Sequence, residues 1–178
     1  HNILLTGATG GMGKAFSQLL FAKGANLVLI GRNNTKLQQL KDELLATDSN
    51  ATNIVEIFAV DLIETEQRAH LIKHLNTLSF DINLLINNAG VSQFSLFEQT
   101  SDSEINRIIS TNSIAPIQLT QALSPRLLIQ SSAQIINIGS TFGSICYPGH
   151  AAYCSSNFSL REFRQTLSRA SADPTNTT

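Results

Sequence analysis

Ile3-Leu4-Leu5-Thr6-Gly7-Ala8-Thr9-Gly10-Gly11-Met12-Gly13 decides the fold of this chain. A short apolar run, the content of a buried strand, passes into a glycine-rich turn and then into an amphipathic stretch over residues 11–23. A strand-turn-helix unit of this kind has the shape a diphosphate needs. A side chain at Gly7 would block the tight turn, one at Gly11 would hold the backbone off the phosphates, and one at Gly13 would push the helix from the sheet. Thr9, Gly10 and Met12 complete the turn, and the free N–H groups of the starting helix face the anion. A glycine pattern alone also fits an ordinary loop, so the rest of the chain has to agree with it.

The agreement comes from hydrophobic period. Short, nearly continuous apolar runs predict strands at residues 2–6, 26–31, 53–60, 82–87 and 133–139, each covered on both faces. Between them, helices are predicted over 11–23, 34–47, 64–78, 101–123 in two pieces, and 150–170. Leu37, Leu40, Leu44 and Leu45 form one apolar stripe; Ala69, Ile72, Leu75 and Leu78 form another. Pro125 is expected to kink or end its helix. The series reads as βαβ units, and right-handed crossovers turn it into an α/β fold. The expectation is a Rossmann-type, doubly wound parallel sheet of about five strands, helices on both faces, with its ligand at the carboxyl ends of the strands. Residues 1–178 read as a single nucleotide-binding domain, with 171–178 as a disordered polar tail.

Composition narrows the class. The 178 residues are 42% hydrophobic and carry a formal charge of -1, which suits one globular domain and gives no reason to expect nucleic acid or a membrane surface as partner. No stretch approaches the ~18 apolar residues of a membrane span and no secretory signal opens the chain; a cytoplasmic setting is expected. Cys146 and Cys154 lack CxxC spacing and read as reduced, small, buried side chains. His70 and His74 share a helix face at metal-ligand spacing, but no third ligand is near in sequence, so a solvated pair is expected and no metal.

With these elements placed, the sequence resembles the short-chain dehydrogenase/reductase family from about residue 2 to about residue 168. Thr6-Gly7-x-x-x-Gly11-x-Gly13 fits that family's phosphate turn. Asp61-Leu62 after the third strand resembles its adenine contact, and Asn87-Asn88-Ala89-Gly90 after the fourth its sheet-end motif. Asn112 stands where the family keeps a helix-distorting asparagine, Ser140 closes the fifth strand, and Tyr153 follows thirteen residues later. The resemblance implies an NAD(P)-binding domain and hydride transfer between a nicotinamide and a small-molecule carbonyl or alcohol substrate. Tyr153 would give or take the proton, Ser140 would hydrogen-bond the reacting oxygen, and Asn112 would hold a water that passes protons to solvent. A homodimer or homo-oligomer is implied as well, through helices near 112–130 and 150–168.

The second strand ends at Gly31, where a carboxylate would normally accept the adenosine ribose hydroxyls and select NAD. The next residue, Arg32, offers a planar charged fork suited to a 2′-phosphate, and Asn33 or Asn34 adds donors. The expected cofactor is therefore NADP, with NAD as the alternative. An arginine merely solvated in a turn would look the same.

Two departures from the family follow. One helical turn beyond Tyr153 the family keeps a lysine, and this chain has Asn157. An ammonium beside a phenol favours the phenolate and donates to the nicotinamide ribose, whereas an amide does only part of the second task. Impaired catalysis is expected, with alcohol oxidation affected most; the other readings are a catalytically silent NADP-binding protein, acting as a sensor or partner subunit, and a truncated remnant. The second departure is that the strands and substrate-covering segment usual after the tyrosine helix do not follow Leu167. Either the chain is naturally short or the sequence is part of a longer product, and the fifth strand is expected to be an exposed edge. Phe94, Leu96, Phe97, Phe142 and Ile145 suggest an apolar substrate lining or, equally, core packing. His150 is expected on the active-site side, as a substrate contact or as part of the turn before the helix.

Overall fold

The computed structural model describes residues 1–48 and 50–172, with side chains to Leu167. Five strands, β1 (Asn2–Thr6), β2 (Asn26–Gly31), β3 (Val55–Ala59), β4 (Leu84–Asn87) and β5 (Gln134–Asn137), form one sheet in the order β3-β2-β1-β4-β5. Every pairing is parallel. The helices are α1 (Gly11–Ala22), α2 (Asn34–Thr47), α3 (Thr65–Leu75), α4 (Asp102–Ile109), α5 (Ala115–Leu128) and α6 (Ala151–Ala172). This is a Rossmann-type α/β fold.

Register explains the unbroken apolar runs. Leu4, Val28 and Leu85 lie side by side and enter one core cluster with Leu71 and Leu75 of α3 and Leu119 and Leu123 of α5. Ile3, Leu5, Leu27, Leu29 and Ile86 point the other way, into a second cluster with Phe21 of α1 and Leu37, Leu40 and Leu44 of α2. Because successive side chains alternate between faces and both faces are covered, no polar position is left in the middle of β1 or β2. The central strand β1 has β2 on one side and β4 on the other, so crossovers leave in opposite directions there. The crevice between the carboxyl ends of β1 and β4 is the usual ligand position of such a sheet.

Several local expectations are corrected. Leu45 is 38% exposed, because it lies 100° round the helix from Leu44. On α3 the buried residues are Arg68, Leu71 and Leu75, while Ala69 is exposed. Pro125 neither ends nor breaks α5, which continues to Leu128. The carbonyl that it deprives of a donor belongs to solvent-exposed Gln121, and buried Leu123 and Leu127 anchor the helix on either side. Cys146 is exposed; only Cys154 is buried. Helix α6 runs two residues into the stretch expected to be disordered, and residues 173–178 lie outside the described residues. β5 is the edge of the sheet beside β4, with Ile136 41% exposed.

Candidate nucleotide and active site

The turn after β1 is shaped by what its glycines leave out. Gly7 has φ +67, and a Cβ there would stand 2.8 Å from Ala89 Cα. Gly7 is thus needed both for the left-handed backbone and for the close approach of the β4 end. At Gly13 a Cβ would lie 2.1 Å from the Gly7 carbonyl oxygen, so the glycine lets α1 sit on the turn rather than, as expected, on the sheet. Gly11 differs: a Cβ there meets nothing within 4 Å and would project into open space. Gly10 is the N-cap of α1, without a side-chain cap, and the first turn of the helix carries no acidic residue. Its leading N–H groups and the positive end of its dipole are therefore left for an anion.

The ends of β1 and β4 are laced together. Thr6 Oγ1 accepts from the main-chain N–H groups of Asn88 and Ala89, both at 3.0 Å. Asn88 Nδ2 donates back to the carbonyls of Thr6 at 3.0 Å and Gly7 at 3.2 Å. Between them opens a cavity of about 330 Å³, lined by Gly7, Thr9–Gly13, Ile30–Arg32, Val60–Leu62, Asn88–Val91 and Thr111. It takes in Gly7, Thr9, Gly10, Gly11, Met12, Gly13, Arg32, Asp61, Leu62, Asn88, Ala89 and Gly90 from the sequence reading. Asn33 does not line it. Its side chain caps α2, accepting from Lys36 N at 2.9 Å, a role that its position before a helix explains. Sequence reasoning missed Val91 and Thr111, although each adjoins a residue it had singled out. A Cβ at Gly31 would meet Thr9 Oγ1 at 3.3 Å and Leu37 at 3.4 Å, so a side chain here would require those neighbours to give by a few tenths of an ångström.

A second cavity, of about 160 Å³, shares Met12 and Asn88–Val91 with the first and adds Asn112, Gly139, Tyr153 and Asn157. Asn112 lies in a π-helical turn, Ser110–Ile114, between α4 and α5. Its Oδ1 accepts from Val91 N at 2.9 Å, while its Nδ2 donates to Val91 O at 2.8 Å and to Ser156 Oγ at 3.1 Å. The Asn112 side chain therefore fastens the loop after β4 to α6. Asn157 is buried and folds back on its own helix, donating to the Tyr153 carbonyl at 2.9 Å. Ser140 lines a neighbouring cavity of about 430 Å³ that also borders Gly139 and Asn157, and its Oγ accepts from Phe142 N at 3.2 Å.

Around Tyr153 the rings gather. His150 sits between Phe94, Phe142, Tyr147 and Tyr153, with centroids 5.1 to 6.1 Å away, and its buried Nδ1 has no partner among the described residues. Phe142 meets Tyr153 edge-on at 6.0 Å. Phe94, Leu96, Phe97 and Ile145 are 55 to 69% exposed, so they are not core. His74 packs on Phe58 at 4.4 Å instead of pairing with exposed His70. Among the described residues no three His, Cys, Asp or Glu side chains are grouped to hold a metal, and no helix is long and apolar enough to cross a membrane.

A short chain dehydrogenase family model matches residues 1–175. The Xenopus laevis protein "Dehydrogenase/reductase SDR family member 7B" is 32% identical over 174 residues, which are 97% of this chain and 54% of that protein. Nodulation protein G of Rhizobium sp. (strain N33) is 30% identical over 166 residues, 93% of this chain and 65% of the relative. Among solved structures, a metagenomic short-chain oxidoreductase in complex with NADP superposes with TM-score 0.87 at 27% identity, covering 96% of this chain and 75% of the other. A short-chain dehydrogenase from Sphingobium yanoikuyae in complex with NADPH gives TM-score 0.86 at 30% identity, covering 93% and 64%. The chain spans about half the length of the curated dehydrogenase/reductase relatives that it matches. The laced crevice, the glycine cradle and these matches have one source: the chain belongs to the short-chain dehydrogenase/reductase family.

Proposed function

We propose that residues 1–178 form a single NADP(H)-binding domain whose chemistry is reduction of a small-molecule carbonyl group, with catalysis weakened at Asn157. The observation that carries this reading is that the two cavities adjoin: Met12 and Asn88–Val91 border both, so a ligand seated in the glycine cradle and passing these residues would reach the cavity that Tyr153 lines. The cradle fits a diphosphate, since the one Cβ direction that is open, at Gly11, is where phosphate would approach. At the other end of the cavity, Gly31 leaves no carboxylate to repel a 2′-phosphate and exposed Arg32 offers it a fork. Relatives crystallised with NADP and NADPH support the same choice.

When bound, the nicotinamide supplies the hydride. The Tyr153 phenol donates its proton to the substrate oxygen as negative charge develops there. Ser140, which lines the neighbouring cavity rather than the one that Tyr153 lines, carries the O–H that would hydrogen-bond the same oxygen. Asn112 and Ser156 hold α6 against the post-β4 loop, which keeps the phenol in register with the nucleotide. At 157 the side chain is spent on the Tyr153 carbonyl and brings no charge to the phenol. Removal of one preorganised electrostatic partner costs about 3 kcal/mol in typical sites, a factor of about 10²–10³. We also propose self-association through α5 and α6, near which Leu128 and Ile129 are 77% and 83% exposed.

The test is titration with NADPH and NADH followed by a panel of ketones, on the wild type and on Asn157→Lys. Tighter NADPH binding and a gain of about 10²-fold or more in ketone reduction in the variant are expected. Unchanged turnover in a folded, nucleotide-bound variant would refute the role given to position 157. The second reading, nucleotide binding without turnover, is favoured by the same Asn157 contact, and tight binding with no oxidation of NADPH by any ketone in either protein would establish it.

A further inference from the structure

One charged side chain in the interior has no part in the chemistry above. Arg68, in the first turns of α3, is 3% exposed, and burial lowers its readiness to stay charged while nearby Glu64 opposes that effect. Its guanidinium is satisfied by neutral groups. Nη1 donates to the carbonyls of Leu62 at 2.6 Å and Ile63 at 2.7 Å, Nη2 to Thr65 Oγ1 at 3.1 Å, and Nε to Gln118 Oε1 at 2.8 Å. Two of these acceptors belong to the connection between β3 and α3 and the third, Thr65, opens α3 itself; the fourth is on α5, one turn after the π-helical segment that carries Thr111 and Asn112.

An inward position in line with Leu71 and Leu75 would ordinarily hold an apolar side chain, which avoids the desolvation of a cation. What the guanidinium adds is direction. It turns the carbonyls of Leu62 and Ile63 into the protein, where without a donor they would be buried and unpaired, so the loop would have to re-form with them facing water. Gln67 and Asp61 complete the fastening: Gln67 Oε1 accepts from Asp61 N at 2.8 Å, and Asp61 Oδ1 from Ile63 N at 3.1 Å. Asp61 and Leu62 line the nucleotide cavity beside Gly31 and Arg32, at the end of β2, which is the adenosine side of such a crevice.

We propose that Arg68 is a positioning residue for the adenosine end of the nucleotide, holding Asp61 and Leu62 at the cavity wall and tying that wall to α5 through Gln118; the inference rests on the NADP(H)-binding reading. The Arg68 guanidinium does not touch the ligand. Its loss should act on one end of the cavity, because the phosphate turn and the post-β4 loop have their own hydrogen bonds. A general loosening of the fold would act on both ends.

The test uses Arg68→Met and isothermal titration with three probes: NADPH, adenosine 2′,5′-bisphosphate and nicotinamide mononucleotide, each corrected for the folded fraction. A tenfold or greater weakening for NADPH and the bisphosphate, with nicotinamide mononucleotide within twofold of wild type, is the expected result. Equal losses for all three probes, or no loss, would overturn the inference. Should Arg68→Met not fold, Gln118→Met keeps the question open to measurement, since it leaves the loop bonds in place and removes only the tie to α5. A selective loss of adenosine-end binding supports the proposal, and an unselective loss or none rejects it. A wild-type chain that binds none of the probes fails at the earlier step and removes the nucleotide reading itself.

Discussion

Gly11→Ala should make the protein more stable and its nucleotide binding worse. A methyl at Gly11 meets no atom within 4 Å, and the backbone there does not have positive φ, so alanine adopts the native conformation without strain. Replacing glycine at such a site typically adds about 0.5 kcal/mol by restricting the unfolded chain, about 1–2 °C in Tm for a domain of this size. The same methyl stands in the space from which phosphate oxygens approach the first N–H groups of α1, and a loss of at least about tenfold in NADPH affinity, or about 1.4 kcal/mol, is expected. Gly13→Ala provides the contrast. Its Cβ would lie 2.1 Å from Gly7 O and 2.8 Å from Ala8 Cα, both backbone atoms that cannot swing aside. Destabilisation of about 3 kcal/mol or more follows, some 6–12 °C in Tm. Thermal unfolding with and without NADPH, together with fluorescence titration, separates the two variants. Wild-type affinity in Gly11→Ala would show that no anion sits at the start of α1, and wild-type Tm in Gly13→Ala would show that the turn does not carry the helix as described.

Three further outcomes follow from named contacts. Arg32→Ala should weaken NADPH about tenfold while leaving NADH within about twofold, because a charge-assisted fork to a 2′-phosphate is worth about 1.4 kcal/mol or more; parallel titrations check it, and equal losses would remove Arg32 from cofactor choice. Asn112→Ala deletes the acceptor for Val91 N and the donor to Val91 O and Ser156 Oγ, for a cost of about 2 kcal/mol; urea unfolding should show it, and an unchanged midpoint would mean that water replaces the amide. On α4, Arg107 holds the Glu104 carboxyl below its usual range, chiefly by a side-chain hydrogen bond. The stabilisation is complete above the unfolded pKa and is lost as pH falls through the lower folded one. Stability curves of wild type and Glu104→Gln should therefore differ near neutral pH and converge on acidification, and a constant gap down to pH 2 would contradict the pairing.

What could be read from the chain in advance was whatever depends on a missing atom or a covered face. Gly7 and Gly13 mark places where a Cβ cannot be and Gly11 one where a Cβ would stand in a ligand's approach, and three glycines within seven residues mark a turn regardless of the rest of the fold. Strands β1, β2 and β4 were readable because cover on both faces leaves no polar alternation to confuse with a helix, and the edge strands β3 and β5 because their apolar runs are short and bounded. Arg68 was not readable, since a charged residue in a helical pattern is ordinarily assigned to the solvent side, and its acceptors come from a loop, from the first residue of its own helix and from a helix fifty residues away. Pro125 misled for a related reason: its local penalty is real, but exposure of Gln121 and burial of Leu123 and Leu127 outweigh it.

Position 157 shows where a local pattern stops being informative. Spacing of four residues correctly puts its side chain on the same helix face as Tyr153. What that side chain then does is a matter of reach. An asparagine has one methylene and a donor that extends no farther than the carbonyl one turn back, so it closes onto the Tyr153 main chain. A lysine has a four-carbon stem, cannot be satisfied there, and has to carry its ammonium out along the cavity that Asn157, Tyr153 and Gly139 line. The Tyr153 carbonyl would keep a donor in either case, because Ser156 Oγ already reaches it at 2.8 Å. Exchange of the two residues therefore brings a charge to the cavity that Tyr153 lines while the Asn112 bond to Ser156 that fastens α6 stays available, so activity of folded Asn157→Lys reports on that charge.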